Sequence, residues 1–287
     1  MNFTKMQGLG NDYVYIDCFV EKVVNPVELA ITISDRHFGV GSDGLILILP
    51  SDKAEADVQM RMFNADGSES PMCGNGIRCV AKYVYEHQIC CNPQMSIDTL
   101  SGIKQLQLTI IADKVTDVRV DMGEPELNPE LIPIQLHSGI AKTKIVAEPI
   151  EVNNDHHYQF TGVSMGNPHC VIFVPQITDA MVLNDGAALE LSALFPNKTN
   201  VEFVTINSPT DITMRVWERG SGETLACGTG ACASVVAAVL NRLTENKVTV
   251  HLRGGNLLVE WDPAGNHVYM TGPAVEVFQG VWSQSKA

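Results

Sequence analysis

The chain contains 287 residues, of which 45% are apolar and 18% are charged, so it can bury sizeable cores and is not disordered by composition. The 19 Lys and Arg against 33 Asp and Glu give a net charge of −14 without any basic cluster, which argues against a nucleic-acid partner. The longest aliphatic runs fall far short of the roughly 20 apolar residues that a membrane span requires. At roughly 150 residues per domain, the length favours two domains.

The N-terminal residues show no charged segment followed by an apolar one, so we expect no export signal and a cytoplasmic protein. The 8 cysteines are too dilute for a disulfide scaffold. In a reducing compartment they are expected to remain thiols.

The pattern of apolar residues and turn signals predicts a mixed, strand-rich chain with few helices. Asn25 followed by Pro26 indicates the start of a helix with the asparagine as its cap. Ile77, Val80, Ala81 and Val84 recur on one helical face, and residues 231–240 are so uniformly small and apolar that their helix is expected to be buried on every side. The predicted strands are residues 13–16, 45–49, 105–110, 115–120, 170–174, 212–216, 248–252, 257–261 and 268–270.

Three other stretches are interpreted as loops. Residues 123–147 are rich in Pro, Glu and Gly and are expected to connect two halves, while His156 and His157 are expected to lie in a solvated loop. Residues 39–44 match G-x-G-x-x-G, but that fingerprint must follow a strand and open a helix, whereas this one precedes a strand. We therefore interpret it as a glycine-rich loop rather than a nucleotide site.

The most informative feature is an internal repeat. Residues 60–76 and 214–230 align without a gap at an offset of 154, with Met, Arg, Glu, Cys and two glycines coinciding. A Gly-Asn pair precedes a predicted strand upstream of each copy, with Asn11 lying 62 residues before Cys73 and Asn167 lying 60 residues before Cys227. Two anchors at nearly equal spacing indicate two copies of one fold unit.

The repeat predicts an α+β fold of two pseudo-symmetric domains, each a curved, strand-rich sheet wrapped around a central helix. We expect residues 1–118 to form the half that carries Cys73 and residues 119–272 to form the half that carries Cys227. Residues 273–287 are expected to return to the first half.

In both copies a Cys-Gly-x-Gly sequence lies between a predicted strand and a predicted helix, at Cys73 and at Cys227. A helix N-terminus carries roughly half a positive charge and can receive an anion, and it should lower the pKa of a thiol from its ordinary value of about 8.5. Two such cradles facing each other would hold one carboxylate between two sulfurs. That geometry suits removal of an α-proton on one side and its return on the other, which is racemisation or epimerisation.

The remaining cysteines lack this context. Cys79 and Cys232 lie inside the apolar helices and are predicted to be core residues, since buried cysteines are common. Their spacing from Cys73 and Cys227 fits zinc poorly, so no metal is expected. The cysteines predicted to be structural or incidental are Cys18, Cys90, Cys91 and Cys170.

Four segments resemble the diaminopimelate epimerase family, namely residues 5–12, the segment around Cys73, residues 164–169 and residues 217–230. The similarity covers nearly the whole chain and is weakest between about residues 125 and 158. The resemblance implies the fold of that family and a homodimer. It also implies cofactor-independent interconversion, without pyridoxal phosphate, of LL- and meso-2,6-diaminoheptanedioate on the route to lysine and peptidoglycan precursors.

The same resemblance implies a set of site residues. Cys73 and Cys227 would be the acid and the base, exchanging roles with the direction of reaction, and His169 and Glu218 would tune them. The residues implied to cradle the reacting carboxylate are Gly74, Asn75, Gly228 and Thr229. Those implied to contact polar groups of the substrate are Asn11, Asn64, Asn167, Asn200, Glu218 and Arg219, with Arg219 pairing the distal carboxylate.

Two alternatives stay open at this point. A proline racemase or hydroxyproline epimerase also uses paired cysteines, although Arg219 beside Glu218 and the set of asparagines favour a long, doubly zwitterionic substrate. A non-enzymatic anion-binding module or a thiol redox module would use the same helix ends but needs only one competent sulfur.

Overall fold

The computed structural model describes residues 1–136, 142–152 and 156–283 of the chain. They form two compact units, one made of Met1–Asp121 with the described residues from Thr271 onward and the other of the described residues within Met122–Met270. Both are strand-rich and mixed with a few helices, which confirms the predicted α+β class. Within the described residues no helix has the length and apolar content to cross a bilayer.

In the first unit, strands precede and follow each of two helices along the chain. The helices are α1 (Pro26–Ser34) and α2 (Gly74–Glu86). The strands are β1 (Asn2–Gly8), β2 (Asn11–Asp17), β3 (Gly44–Leu49), β4 (Val58–Asn64), β5 (Glu69–Ser70), β6 (Gln94–Thr99), β7 (Gly102–Ile111) and β8 (Lys114–Gly123).

The helices of this unit lie where parallel pairing requires a crossover. Strand β2 pairs in parallel with β3 across a connection that contains α1, and β4 pairs in parallel with β6 across a connection that contains α2. The pairs β1–β2, β3–β4, β6–β7 and β7–β8 are antiparallel. The cap predicted for α1 is confirmed, because the Asn25 side chain accepts a hydrogen bond from the Glu28 amide.

The second unit contains a π-helical turn at Met181–Asp185, which runs into α3 (Gly186–Glu190), and the longer helix α4 (Gly228–Leu240). Its strands are β9 (Glu148–Val152), β10 (His156–Ser164), β11 (Pro168–Phe173), β12 (Asn200–Ser208), β13 (Asp211–Glu218), β14 (Gly222–Glu223), β15 (Lys247–Leu252), β16 (Gly255–Trp261) and β17 (Val268–Gly272). The last strand, β18 (Val275–Val281), belongs to the first unit and pairs with β1.

The pairing pattern of the first unit recurs in the second. Strand β10 is antiparallel to β11, β11 is parallel to β12, β12 is antiparallel to β13, β13 is parallel to β15 and β15 is antiparallel to β16. Strand β9 flanks β10 as β18 flanks β1. The repeat read from the sequence is therefore a repeat of topology, and the prediction of two pseudo-symmetric halves is confirmed.

In each unit one helix is buried almost all round. Helix α4 is buried from Ala231 to Ala238, as predicted, but Val239 and Leu240 at its end are only half-buried. Helix α2 buries the predicted apolar face, but it also buries polar side chains such as Arg78, so one apolar stripe was too narrow an expectation. Cys79 and Cys232 are fully buried in these helices, which confirms them as core residues.

Two predicted loops are corrected. The connecting segment does more than link two halves, because Ile132, Ile134 and Ile145 are buried in the hydrophobic core of the second unit, while residues 137–141 lie outside the described residues. His156 and His157 are exposed, but they begin β10 rather than a loop, and His156 Nδ1 lies 2.8 Å from Asp185 Oδ2. Polarity indicates exposure correctly but cannot detect backbone pairing with β9.

Candidate active site

Cys73 occupies the N-cap of α2. Its backbone is extended (φ −133°, ψ 121°), and its Sγ accepts a hydrogen bond from the Gly76 amide at 3.4 Å. The first N–H groups of a helix have no partner within the helix, so this turn presents donors beside the sulfur. The start of α2 thus has the capping sulfur and the helix-end amides on which the prediction of an anion cradle depends.

The side chains around Cys73 are held by further hydrogen bonds. Cys73 Sγ lies 3.3 Å from Asn11 Oδ1, and Asn11 Nδ2 donates to Asp43 at 2.8 Å, so the carboxylate of Asp43 orients the amide with its oxygen toward the sulfur. On the helix, Arg78 donates to Gly74 O and to Asn75 Oδ1, each at 3.0 Å. The first turn of α2 is fixed from within the unit.

Cys227 has the same geometry in the second unit. It is the N-cap of α4 with an extended backbone (φ −119°, ψ 110°), and its Sγ lies 3.4 Å from the Gly230 amide and 3.5 Å from Thr229 Oγ1. Its residue surface is only 5% exposed, whereas Cys73 is half-buried. The two copies of Cys-Gly-x-Gly therefore share a backbone conformation but differ in surroundings.

The electrostatics at Cys227 correct one expectation. The helix N-terminus was expected to favour the thiolate, yet burial, reinforced by the nearby charges of Glu218 and Glu202, raises the pKa of the Cys227 thiol well above its ordinary value. Burial also raises the pKa of Glu218, and the charge of Glu202 adds to it, against the lowering effect of hydrogen bonds from Thr224 and Cys227. Burial of the thiol, together with these two carboxylates, outweighs the partial charge of one helix end.

A continuous chain of hydrogen bonds leads to Cys227. His169 is fully buried, with Nδ1 2.7 Å from Glu202 Oε1 and Nε2 3.1 Å from Asn167 Oδ1. Asn167 Nδ2 then donates to Thr229 Oγ1 at 3.3 Å, and that hydroxyl lies against the sulfur. His169, Asn167 and Thr229 are thus linked to Cys227 as a set.

Glu202 was not predicted from the sequence. The available signal was a single acidic residue in an otherwise apolar strand segment, between Val201 and Phe203. Such a residue is almost always paired when it is buried, and Glu202 is fully buried beside His169.

Some predicted contact residues are engaged elsewhere in the protein. Asn200 is buried, donates to Pro168 O at 2.8 Å and accepts from the Arg219 amide at 2.9 Å, so its side chain ties β11 to the Arg219 backbone. The exposed Arg219 guanidinium donates to Asn197 O at 3.1 Å. Asn64, at the end of β4, donates to Ser68 Oγ at 3.0 Å.

The other predicted residues form one group in each unit. In the first unit the group brought to the start of α2 comprises Asn11, Cys73, Gly74 and Asn75. In the second unit the group at the start of α4 comprises Asn167, His169, Glu218, Cys227, Gly228 and Thr229. Among the residues that the structure describes, no three His, Cys, Asp or Glu side chains are grouped as metal ligands would be.

The architecture can be compared with a solved structure first. The chain superposes on the crystal structure of a hydroxyproline epimerase from Agrobacterium vitis, with bound trans-4-hydroxy-L-proline, at a TM-score of 0.68, covering 98% of this chain and 91% of that one. At 13% sequence identity this likeness concerns the fold alone. The fold is thus one that an amino-acid epimerase also has, and here it carries a helix-capping cysteine in each of its two repeats.

The sequence comparisons define the family. The family model described as diaminopimelate epimerase matches residues 3–128 and 161–277. A diaminopimelate epimerase from Agathobacter rectalis is 54% identical over 283 residues, covering 98% of both chains. Another from Desulfovibrio desulfuricans is 56% identical over 282 residues, covering 98% of this chain and 97% of its own. The chain belongs to the diaminopimelate epimerase family and is an isomerase, as the resemblance predicted.

Proposed function

We propose that the protein interconverts LL- and meso-2,6-diaminoheptanedioate by moving the α-proton between the sulfurs of Cys73 and Cys227, without a cofactor. The observation that carries the proposal is the repeated N-cap cysteine, whose sulfur accepts from the third amide of its helix in both units. Membership of the family supplies the substrate class. By the same membership we place the reaction in the synthesis of lysine and peptidoglycan precursors.

The proposed step conserves protons. One cysteine, as thiolate, takes the α-proton and becomes a thiol, leaving the electron pair on the α-carbon and its carboxylate. The other cysteine, as thiol, gives its proton to the opposite face of that carbon and becomes a thiolate. The enzyme thus finishes with the two sulfurs exchanged, ready for the reverse reaction.

The helix ends supply the stabilisation that this step needs. Charge that spreads onto the α-carboxylate would meet backbone N–H groups at Gly74 and Asn75 in one unit and at Gly228 and Thr229 in the other. Fixed donors aimed at developing charge commonly contribute 10²–10³-fold each to a rate. We assign Asn11, Asn64 and Asn167 to polar groups of the substrate and Arg219 to its distal carboxylate.

The central experiment measures isotope exchange. LL-diaminopimelate is incubated with the protein in deuterium oxide without added cofactor, and deuterium at the α-carbon is followed together with formation of the meso form. Both are expected in the wild-type protein. Absence of exchange with this substrate would contradict the proposal.

Cysteine variants test the two-base step. Cys73→Ala and Cys227→Ala are each expected to lower epimerisation by at least about 10²-fold, because each removes one proton-transfer group. Cys91→Ala, which changes an exposed cysteine outside both groups, is the matched control and should retain activity. A Cys73→Ala or Cys227→Ala protein with near-wild-type turnover would show that a single sulfur suffices, as in a redox or binding module.

One observation favours a second candidate. One fold neighbour is a hydroxyproline epimerase, so a cyclic amino acid is the alternative substrate class. Exchange into proline or 4-hydroxyproline but not into diaminopimelate would establish it. The cytoplasmic location and the homodimer implied by the resemblance stay predictions, and sedimentation velocity would test the dimer.

A further inference from the structure

We propose that Glu202 is a positioning residue that keeps Cys227 in its protonated form and orients the imidazole of His169 in the hydrogen-bond chain that leads to this cysteine. The inference deepens the proposed function, because it assigns the resting state of one of the two proton-transfer groups. The two repeats share the Cys-Gly-x-Gly sequence but differ in the side chain that lies next to it.

Glu202 and Ile46 occupy equivalent places in the two units. Each lies on the strand that pairs in parallel with the strand following the Gly-Asn turn, opposite Val171 in the second unit and Tyr15 in the first. Each also reaches the third residue of its helix. A Cβ on Gly76 would lie 2.7 Å from Ile46 Cδ1, and a Cβ on Gly230 would lie 2.7 Å from Glu202 Oε1. One cysteine thus has a methyl group beneath its helix turn, whereas the other has a carboxylate.

The Glu202 carboxylate is shielded from water. Oε1 lies 2.7 Å from His169 Nδ1, and within the described part of the chain Oε2 is buried with no hydrogen-bond partner. A carboxylate removed from water interacts with neighbouring charges much more strongly than an exposed one. Its charge therefore acts on Cys227 with little screening.

The groups around Cys227 come from three strands and from α4 itself, and His169 is linked to it through Glu202 and Asn167. His169 comes from β11, Glu202 from β12 and Glu218 from β13, while α4 itself contributes the Thr229 hydroxyl and the Gly230 amide. Two acidic side chains thus act on a single thiol, and the imidazole is held against one of them. Ionising the sulfur would add a further negative charge to this buried group, so the proton stays on Cys227.

The hydrogen-bond chain shows how Glu202 also acts through His169. Because Nδ1 is held by Glu202, Nε2 meets Asn167 Oδ1, and the amide nitrogen is left to donate to Thr229. The Thr229 hydroxyl then accepts from Asn167 and can donate its own hydrogen to sulfur. It is placed to stabilise the thiolate that forms once Cys227 has given up its proton.

The test is the pH profile of alkylation at each cysteine. Wild-type protein and Glu202→Gln are treated with iodoacetamide from pH 5 to pH 11, and peptides are quantified by mass spectrometry. The quantity compared is the pH at the midpoint of each alkylation profile. The absolute rate is not compared, because burial slows alkylation at every pH. In E202Q the midpoint of Cys227 should fall, and its alkylation rate near pH 8 should rise about tenfold for each unit of that fall. The Cys73 profile should not move.

Two controls accompany the variant. Asp98→Asn removes another buried, ion-paired carboxylate, in the first unit, and should leave the Cys227 profile unchanged. Glu202→Asp keeps the charge but shortens the reach to His169, so it should retain the high Cys227 midpoint while lowering kcat. If E202Q does not fold by far-UV circular dichroism, Glu202→Ile, which copies the first repeat, takes its place with the same expected fall.

The outcomes separate this inference from the proposed function. Alkylation is measured without substrate. The assignment of Glu202 is therefore tested independently of whether diaminopimelate exchanges its α-proton. An unchanged or higher Cys227 midpoint after loss of the Glu202 carboxylate would overturn the assignment. In active protein, E202Q should also shift the pH profile of kcat/KM to lower pH, which a purely structural role would not do.

Discussion

The variants Gly230→Ala and Gly76→Ala test whether the two equivalent helix starts differ in packing. The side chains next to each glycine indicate that they do. Both glycines are the third residue of a helix, and at either position alanine gains about 0.5–1 kcal/mol from the lower conformational freedom of the unfolded chain. Both new methyl groups would also lie 2.7 Å from a side-chain atom. The side chains next to each new methyl group decide how much stability each variant loses.

At Gly76 the close atom is the terminal methyl of Ile46, and the next contacts are at 3.5 and 3.6 Å, so a small rotation of one side chain relieves the clash. At Gly230 the close atom is Glu202 Oε1, which is held by His169, and the Cys227 Sγ and Cβ lie at 3.2 and 3.3 Å. Overpacking of a rigid site costs about 1–3 kcal/mol. Gly76→Ala should therefore be nearly neutral, while Gly230→Ala should lose about 1–2 kcal/mol net, or roughly 2–8 °C in Tm.

Thermal unfolding followed by far-UV circular dichroism measures the Tm of both variants under the same conditions. Isotope exchange on the same samples should show a larger loss in Gly230→Ala, because the methyl group presses on the sulfur. Equal Tm values for the two variants, or a lower Tm for Gly76→Ala, would refute the reasoning from the neighbouring atoms.

Three further predictions concern Glu218, Arg219 and the two cysteines. Because burial raises the pKa of Glu218, its favourable contribution to folding is complete below the ordinary glutamate pKa of about 4.3 and is lost as pH rises through the raised value. The difference in unfolding free energy between wild type and Glu218→Gln, from urea titrations at pH 4 to 7, should thus move in favour of the variant with rising pH, and a flat difference would contradict the shift. Arg219→Ala should lower kcat/KM for diaminopimelate by about 10–150-fold, as expected for loss of a charge-assisted hydrogen bond of about 1.5–3 kcal/mol, with partial recovery in Arg219→Lys; equal kinetics in all three proteins would remove Arg219 from the substrate site. Mild oxidation should link Cys73 to Cys227 if both sulfurs reach one α-carbon, and peptide mapping that finds neither cysteine joined to the other would count against the shared site.

Several features of the fold could be predicted from the sequence because they depend on neighbours along the chain. The cap at Asn25, the helices after Cys73 and Cys227 and the buried character of α4 all follow from local spacing. The repeat could be found because two copies of one unit need the same turn and the same strand-to-helix junction. These patterns sufficed for the α+β class and for the two cysteines at equivalent places.

The surroundings of those cysteines could not be predicted in the same way. Local sequence places Cys227 at a helix N-terminus and so suggests a lowered thiol pKa, yet residues from three different strands bury it with two carboxylates and raise the pKa instead. Asn200 carries the polar side chain expected of a substrate contact, but long-range pairing engages both ends of its amide inside the protein.

The amino-acid sequence by itself determined the duplicated unit, its secondary structure near each motif and the position of a sulfur at each helix start, since hydrogen-bond caps and apolar periodicity act over a few residues. Only the tertiary structure decided which charges lie next to each sulfur. Sheet pairing brings Glu202 beneath α4 from far away in the chain, and the strength of a charge depends on how completely the folded protein excludes water around it.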